Sequence, residues 1–146
     1  MSTSSVDISS GLIDGVYNVL NSNVKVSGVT YKVFKNFHPG PTNKSYVYVG
    51  NVIDTENGTK DDFVYEGSIA VESIYETQPI NPRRATVQSI NNKVRSLLKS
   101  TKTEVPTVSG RTVIVFRHGG SVMREEQTRD KRMKYIITDI YEFIIE

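Results

Sequence analysis

Apolar and polar residues alternate along Phe63-Val-Tyr-Glu-Gly-Ser-Ile-Ala-Val-Glu-Ser-Ile-Tyr75, a period of two that predicts a long strand. One face would carry Phe63, Tyr65, Ile69, Val71 and Tyr75, and the other Glu66, Ser68 and Glu72. That division puts core on one side and water or a polar partner on the other. Asn81 then suits a helix N-cap and Pro82 the first helical position, where its missing N–H costs nothing. Val87, Ile90, Val94, Leu97 and Leu98 recur at helical spacing and predict a helix to about Lys99. The β-branched run Arg111-Thr-Val-Ile-Val-Phe-Arg117 returns as a strand. These three segments make a strand–helix–strand unit.

The flanking segments complete the pattern. Residues 1–8 are small, polar and without a period, and are expected to be a disordered tail. Ser9 or Ser10 can cap a helix whose apolar stripe is Leu12, Ile13, Val16, Val19 and Leu20, ending at Asn21-Ser-Asn23. Residues 24–37 read as strand broken by a turn at Ser27-Gly28, and 37–43, with two prolines and a glycine, as a loop. A strand rich in Tyr and Val covers 45–54, and the polar run 56–62 with its Asn57-Gly58 predicts an antiparallel turn into residue 63. Residues 101–110 read as a loop. Residues 119–132 open on Gly119-Gly120 and are densely charged without a convincing period. They are expected to form a mobile charged excursion, a loop or hairpin reaching past the sheet. The last strand, 133–145, is apolar on both faces.

The expected fold is therefore a single α+β domain over residues 1–146. A mixed or antiparallel sheet of four or five strands carries two helices on one face. Two helices cannot cover both faces, yet strand 133–145 reads as buried on both. Either another subunit covers the second face, or the 119–132 excursion and the N-terminal tail close it.

Composition changes this picture little. With 146 residues and no cysteine, the chain can bury a core without staples and has no disulfide framework or thiolate metal site. The N-terminus lacks the basic and apolar regions of a signal peptide, and no apolar run approaches the roughly 18 residues of a membrane span. The expectation is a soluble intracellular chain with no membrane contact. The charge is uneven: residues 1–80 hold 5 Lys/Arg against 9 Asp/Glu, and residues 81–146 hold 13 against 7. The two halves thus carry opposite net charge, which can steer partners or create opposed faces.

Candidate chemistry is sparse. His38 and His118 are the only histidines, too few for a characteristic zinc set, and read as incidental surface or capping residues. No Gly-x-Ser-x-Gly elbow accompanies the Ser, His and Asp residues. Gly119-Gly120 lacks the Gly-Lys-Ser/Thr ending of a phosphate loop. Asp61-Asp62 and Glu125-Glu126 read as solvated charges. No catalytic residue, metal or cofactor is expected. Arg83 and Arg84 stand in the first turn of the second helix, where the helix dipole disfavours cations. They either extend into water, the simpler reading, or pair with an acidic neighbouring subunit. Arg124, Arg129, Lys131, Arg132 and Lys134 form a second basic group, diluted by Glu125, Glu126 and Asp130. A subunit contact or a solvated loop fits it better than a phosphate backbone.

The order of elements resembles a known family. It runs from the helix Gly11-Leu-Ile-Asp-Gly-Val-Tyr-Asn-Val-Leu20 through the Pro39-Gly-Pro41 break to the strand Tyr46-Val-Tyr-Val49. Tyr65-Glu-Gly-Ser-Ile-Ala-Val-Glu-Ser-Ile-Tyr75, the helix end Asn92-Lys-Val-Arg-Ser-Leu-Leu98 and the strand Tyr135-Ile-Ile-Thr-Asp-Ile-Tyr-Glu-Phe143 follow. Over about residues 10–145 this is similar to the tail-terminator, or tail-completion, proteins of long-tailed bacteriophages. The resemblance implies a structural virion protein at the head–tail junction, assembled in the host cytoplasm. It implies a homo-oligomeric ring, typically a hexamer, that ends tail-tube polymerisation. The ring's partners would be the tail tube protein and a head-completion, stopper or connector protein. DNA would pass through its lumen without sequence readout. Another neck or stopper protein of the same junction is the neighbouring reading.

Two other classes compete. A small nucleic-acid-binding module would use the basic second half and bind duplex DNA with steep salt dependence. A small nuclease-like enzyme would hold Mg²⁺ on acids such as Asp54, Asp61 and Glu66, since magnesium sites often use only one or two carboxylates.

Overall fold

The computed structural model describes residues 5–40, 45–58, 63–77, 84–99, 113–128 and 131–146. In chain order these are helix α1 (Ser5–Leu20), β1 (Lys25–Val26), β2 (Val29–Thr30), β3 (Val33–Lys35), β4 (Tyr46–Gly58), β5 (Phe63–Thr77), α2 (Arg84–Lys99), β6 (Val113–Gln127) and β7 (Met133–Ile145). Strands β3-β4-β5-β7-β6 form a five-stranded sheet, and β1-β2 a separate pair. The fold is α+β with a mixed sheet: β3 runs parallel to β4, and every other neighbouring pair is antiparallel. The strand–helix–strand unit is β5-α2-β6, and β7 inserts between its two strands.

Both helices pack on one face. Leu12, Val16 and Leu20 of α1 and Ile90, Val94 and Leu98 of α2 are buried against Val47, Val49, Tyr65, Ile69, Val71, Tyr141, Phe143 and Ile145. Val87 closes a smaller cluster on Tyr135 and Ile137. Complete burial of such a side chain is worth about 1.5–3 kcal/mol, so α2, with a polar outer face, is held by tertiary packing rather than by propensity. At the other end of the layer Lys35 of β3 reaches Asp14 of α1 at 2.6 Å, and its ammonium lies 4.7 Å from the centre of the Tyr17 ring.

Several expectations need correction. Residues 5–8 belong to α1 rather than to a disordered tail. Residues 119–127 are not a mobile excursion, because they continue β6, which pairs with β7 out to Gln127↔Met133. Past the ladder Thr128 N–H donates to Arg132 O at 2.9 Å. Asn57 and Gly58 pair with Val64 and Phe63 inside the β4–β5 ladder. The turn they were expected to make, like Asn81, Pro82 and the 101–110 loop, falls outside the described residues. The turn at Ser27-Gly28 is present, with positive φ at both residues (50° and 82°), the geometry that matches the twist of a two-residue hairpin.

Among the described residues, the second face of the sheet is closed at one end, by a segment the sequence did not single out. Beyond β3 the chain folds residues 36–40 back across β4, where His38 stacks on Tyr48 with ring centroids 3.8 Å apart. Tyr46, Tyr48, Ile74 and Ile136 are buried there, with Phe34 packed alongside.

Candidate functional site

Two regions stand out: a buried polar centre beneath α2 and the open half of the second sheet face. The polar centre is built around Asp139, fully buried on the helical face of β7. Its Oδ2 accepts from Asn91 Nδ2 at 2.5 Å and from Arg95 Nε at 3.3 Å. Its Oδ1 accepts from Arg95 Nη2 and from His118 Nε2, each at 3.1 Å. A carboxylate offers about four lone-pair sites, and all are used. Asn91 and Arg95 lie one helical turn apart and so share the inner side of α2. His118 and Ser121 reach the same side of β6 because a bulge between His118 and Gly120 resets the alternation. Ser121 Oγ then accepts from Arg95 Nη2 at 3.0 Å. His118, expected to be incidental, is a member of this network.

The electrostatics follow from that saturation. The hydrogen bond and charge of Asp139 raise the Arg95 pKa above its ordinary value against a smaller opposing effect of burial. The neighbouring Tyr141 hydroxyl is buried and without a hydrogen-bond partner. Its pKa is raised, first by burial and then by the negative charge of Asp139, with Arg95 partly offsetting the shift. A cavity of about 550 Å³ opens beside the centre. Leu98, Phe116 and Tyr141 line its apolar side and Arg95, Arg117 and His118 its polar side. With every lone pair of Asp139 occupied, the centre locks α2 to β6 and β7.

The open face has a different character. Across three strands the register places Ala70, Ile140 and Gly120 in one line. At one end of that line the Tyr48 ring lies so close over Gly50 that a Cβ there would sit 2.7 Å from Tyr48 Cε1. At the other end an added Cβ on Gly120 would meet nothing within 4 Å. Ile140 stands half-buried in that line, and Ile53 (71% exposed) and Val122 (64% exposed) flank it. The residues expected on this face of β5 divide: Glu66 is exposed, Ser68 half-buried and Glu72 buried. Glu72 is covered because Arg124 reaches across from β6, 3.6 Å away. The face carries Glu66, Glu72, Glu76, Glu126 and Glu142 against Arg117, Arg124 and Lys134, five acids to three cations.

The basic residues singled out from sequence are dispersed. Arg84 pairs with Glu125 of its own chain at 2.5 Å, and Arg124 with Glu72 and with Glu126 at 3.4 Å. Lys131 and Arg132 lie in the β6–β7 turn, where Arg132 N–H donates to Thr128 Oγ1. Arg83 and Arg129 lie outside the described residues. Of the acids considered for magnesium, Glu66 and Asp54 lie on neighbouring strands one register step apart, and Asp61 is outside the described residues. No group of three or more potential metal ligands occurs among the described residues. Among them, too, no helix is long and apolar enough to cross a membrane.

Sequence comparison leaves the chain unplaced: no family model and no curated protein matches it. Its fold has a relative among solved structures. The chain is similar to a chain in the virion of a native gene transfer agent (GTA) particle. The match has a TM-score of 0.65 at 15% identity and covers 92% of this chain and 95% of the other. At that identity the likeness is one of fold, and it extends over nearly the whole of both chains.

Proposed function

We propose that this chain is a structural subunit of a phage-like virion. Within the particle it forms a homo-oligomeric ring, a hexamer, at the head-proximal end of the tail tube, ending tube growth and joining tail to neck. The observation that carries this reading is the end-to-end match of fold with a chain of a gene transfer agent virion. The half-open sheet supports it, since a subunit that keeps Ile53 and Val122 exposed has surface suited to a neighbour. The element order of tail terminators supports the position at the junction. A nucleic-acid module fits less well, because Arg84, Arg95, Arg117 and Arg124 are all engaged by carboxylates of the same chain. The test is the mass and shape of the purified chain, by light scattering and negative-stain microscopy, alone and with tail tubes. Rings, or caps on tube ends, are expected. A chain that stays monomeric and leaves tubes uncapped contradicts the reading.

A further inference from the structure

The cavity beside the Asp139 centre has the dimensions of a ligand site. Its volume of about 550 Å³ falls within the range of small-molecule pockets. One wall is hydrocarbon: Leu98 of α2, with the Phe116 and Tyr141 rings stacked at 5.2 Å and an interplanar angle of 4°. The core sets that wall in place, since Leu98 and Tyr141 are buried and Phe116 packs against the same cluster. The other wall carries Arg95, Arg117 and His118, and His118 is held there by its Nε2 on Asp139.

The unused hydrogen-bonding capacity of the polar wall decides what it can hold. A guanidinium carries N–H donors on each of its nitrogens and no acceptor. Among the described residues, Arg95 spends Nε and Nη2 on Asp139 and Ser121. Its Nη1 donors are left over, in a plane that those bonds fix. Arg117 spends only its Nε–H, on Glu142. Both partners of that pair are exposed, and an exposed ion pair is weak and readily exchanged. The helix behind this wall carries Arg84, Lys93, Arg95 and Lys99 and no acid. Unused cationic donors therefore stand over a preformed apolar wall, and their complement is an anionic acceptor on an apolar body. We propose that this cavity binds a small apolar acid of the aryl carboxylate class. The carboxylate lies on Arg95 Nη1 and Arg117, in charge-assisted hydrogen bonds. The hydrocarbon lies on Leu98, Phe116 and Tyr141.

The probe is cinnamate, added to the isotope-labelled full chain, with cinnamamide as its neutral counterpart of the same shape. Cinnamate is expected to bind with a dissociation constant of about 1 mM or lower. It should shift the amide NMR signals of residues 95–98, 116–118 and 141. Cinnamamide should bind about tenfold more weakly, since it lacks the charge that the guanidinium groups receive. Arg117→Gln should weaken cinnamate about tenfold and leave cinnamamide as it was. Ser96→Trp, at an exposed position on the cavity wall, should block both compounds without lowering the thermal midpoint. Equal affinity for acid and amide, or indifference of cinnamate to Arg117→Gln, overturns the proposed ligand class. Absence of saturation, shifts confined to other residues, or binding that survives Ser96→Trp overturns the site itself. Ring assembly is not required: a monomeric chain that binds cinnamate in this way satisfies the proposal.

Discussion

The Asn91 carboxamide of α2 donates to the Asp139 carboxylate of β7 at 2.5 Å, and both side chains are buried. With Arg95 and His118 on the same carboxylate, the bond ties the helical layer to the two strands at the open edge of the sheet. Removing the charge strands these donors. Asp139→Asn is expected to destabilise the fold by about 3 kcal/mol, read by urea unfolding. Asn91→Ala in the Asp139→Asn background should then cost less than it does alone, because residues in one network are not additive. A loss under about 0.5 kcal/mol for Asp139→Asn would contradict the network.

Gly50 is required by the ring above it. A methyl at this position would overlap Tyr48 and push the ring out of its stack with His38. Gly50→Ala is expected to cost about 1–3 kcal/mol as an overpacking change, seen as a lower thermal midpoint. Tyr48→Ala should abolish that sensitivity. Equal effects of Gly50→Ala with and without the Tyr48 ring would show that the ring is not the cause.

The Tyr141 phenol predicts an alkaline dependence of stability. Its folded pKa is raised above the ordinary value of about 10. The folded chain therefore keeps this proton after the unfolded chain has lost it. The group's contribution is fully present below pH about 10 and is lost as pH rises beyond it. Tyr141→Phe should lessen the fall in stability above that pH and cost little at neutrality, since it removes a hydroxyl with no partner. Tyr31 and Tyr46 are shifted in the same direction and should sustain the remaining slope. Identical pH profiles of the two chains would contradict the assignment.

The paired surface arginines should matter little to the fold. Arg84 and Glu125 are both partly in water, so Arg84→Ala is expected to change stability by no more than about 1 kcal/mol. If α2 meets an acidic neighbour, Arg84→Glu should weaken assembly and reduce its salt dependence while the isolated subunit melts normally. Unchanged assembly would remove Arg84 from the interface.

How far the sequence revealed this arrangement depended on contrast between faces. Strand 133–145 was legible to the residue, because its apolar run is long and β-branched. The α2 stripe was legible too: Val87, Ile90, Val94 and Leu98 are buried. Residues 119–127 were not, because 121–127 are exposed on both sides of an edge strand, which erases the period that marks a strand. The bulge at Gly119 shifts the alternation further. The Asp139 centre joins residues 48, 44 and 21 positions apart, beyond any local pattern. One signal was present: Asp139 is the single acid among Tyr135, Ile137, Tyr141, Phe143 and Ile145 on the buried side of β7, and a buried acid requires partners. The closure of one end of the second face by residues 36–40 had no local signal, since His38 stacks on a residue beyond a loop.

The central claim is a place in a particle, and the most direct measurement is to find the chain there. Gold-labelled antibody against this chain, applied to intact particles that contain it and imaged by electron microscopy, should mark one site per particle where head meets tail. Label along the tail, on the capsid shell or absent from particles altogether would contradict the account.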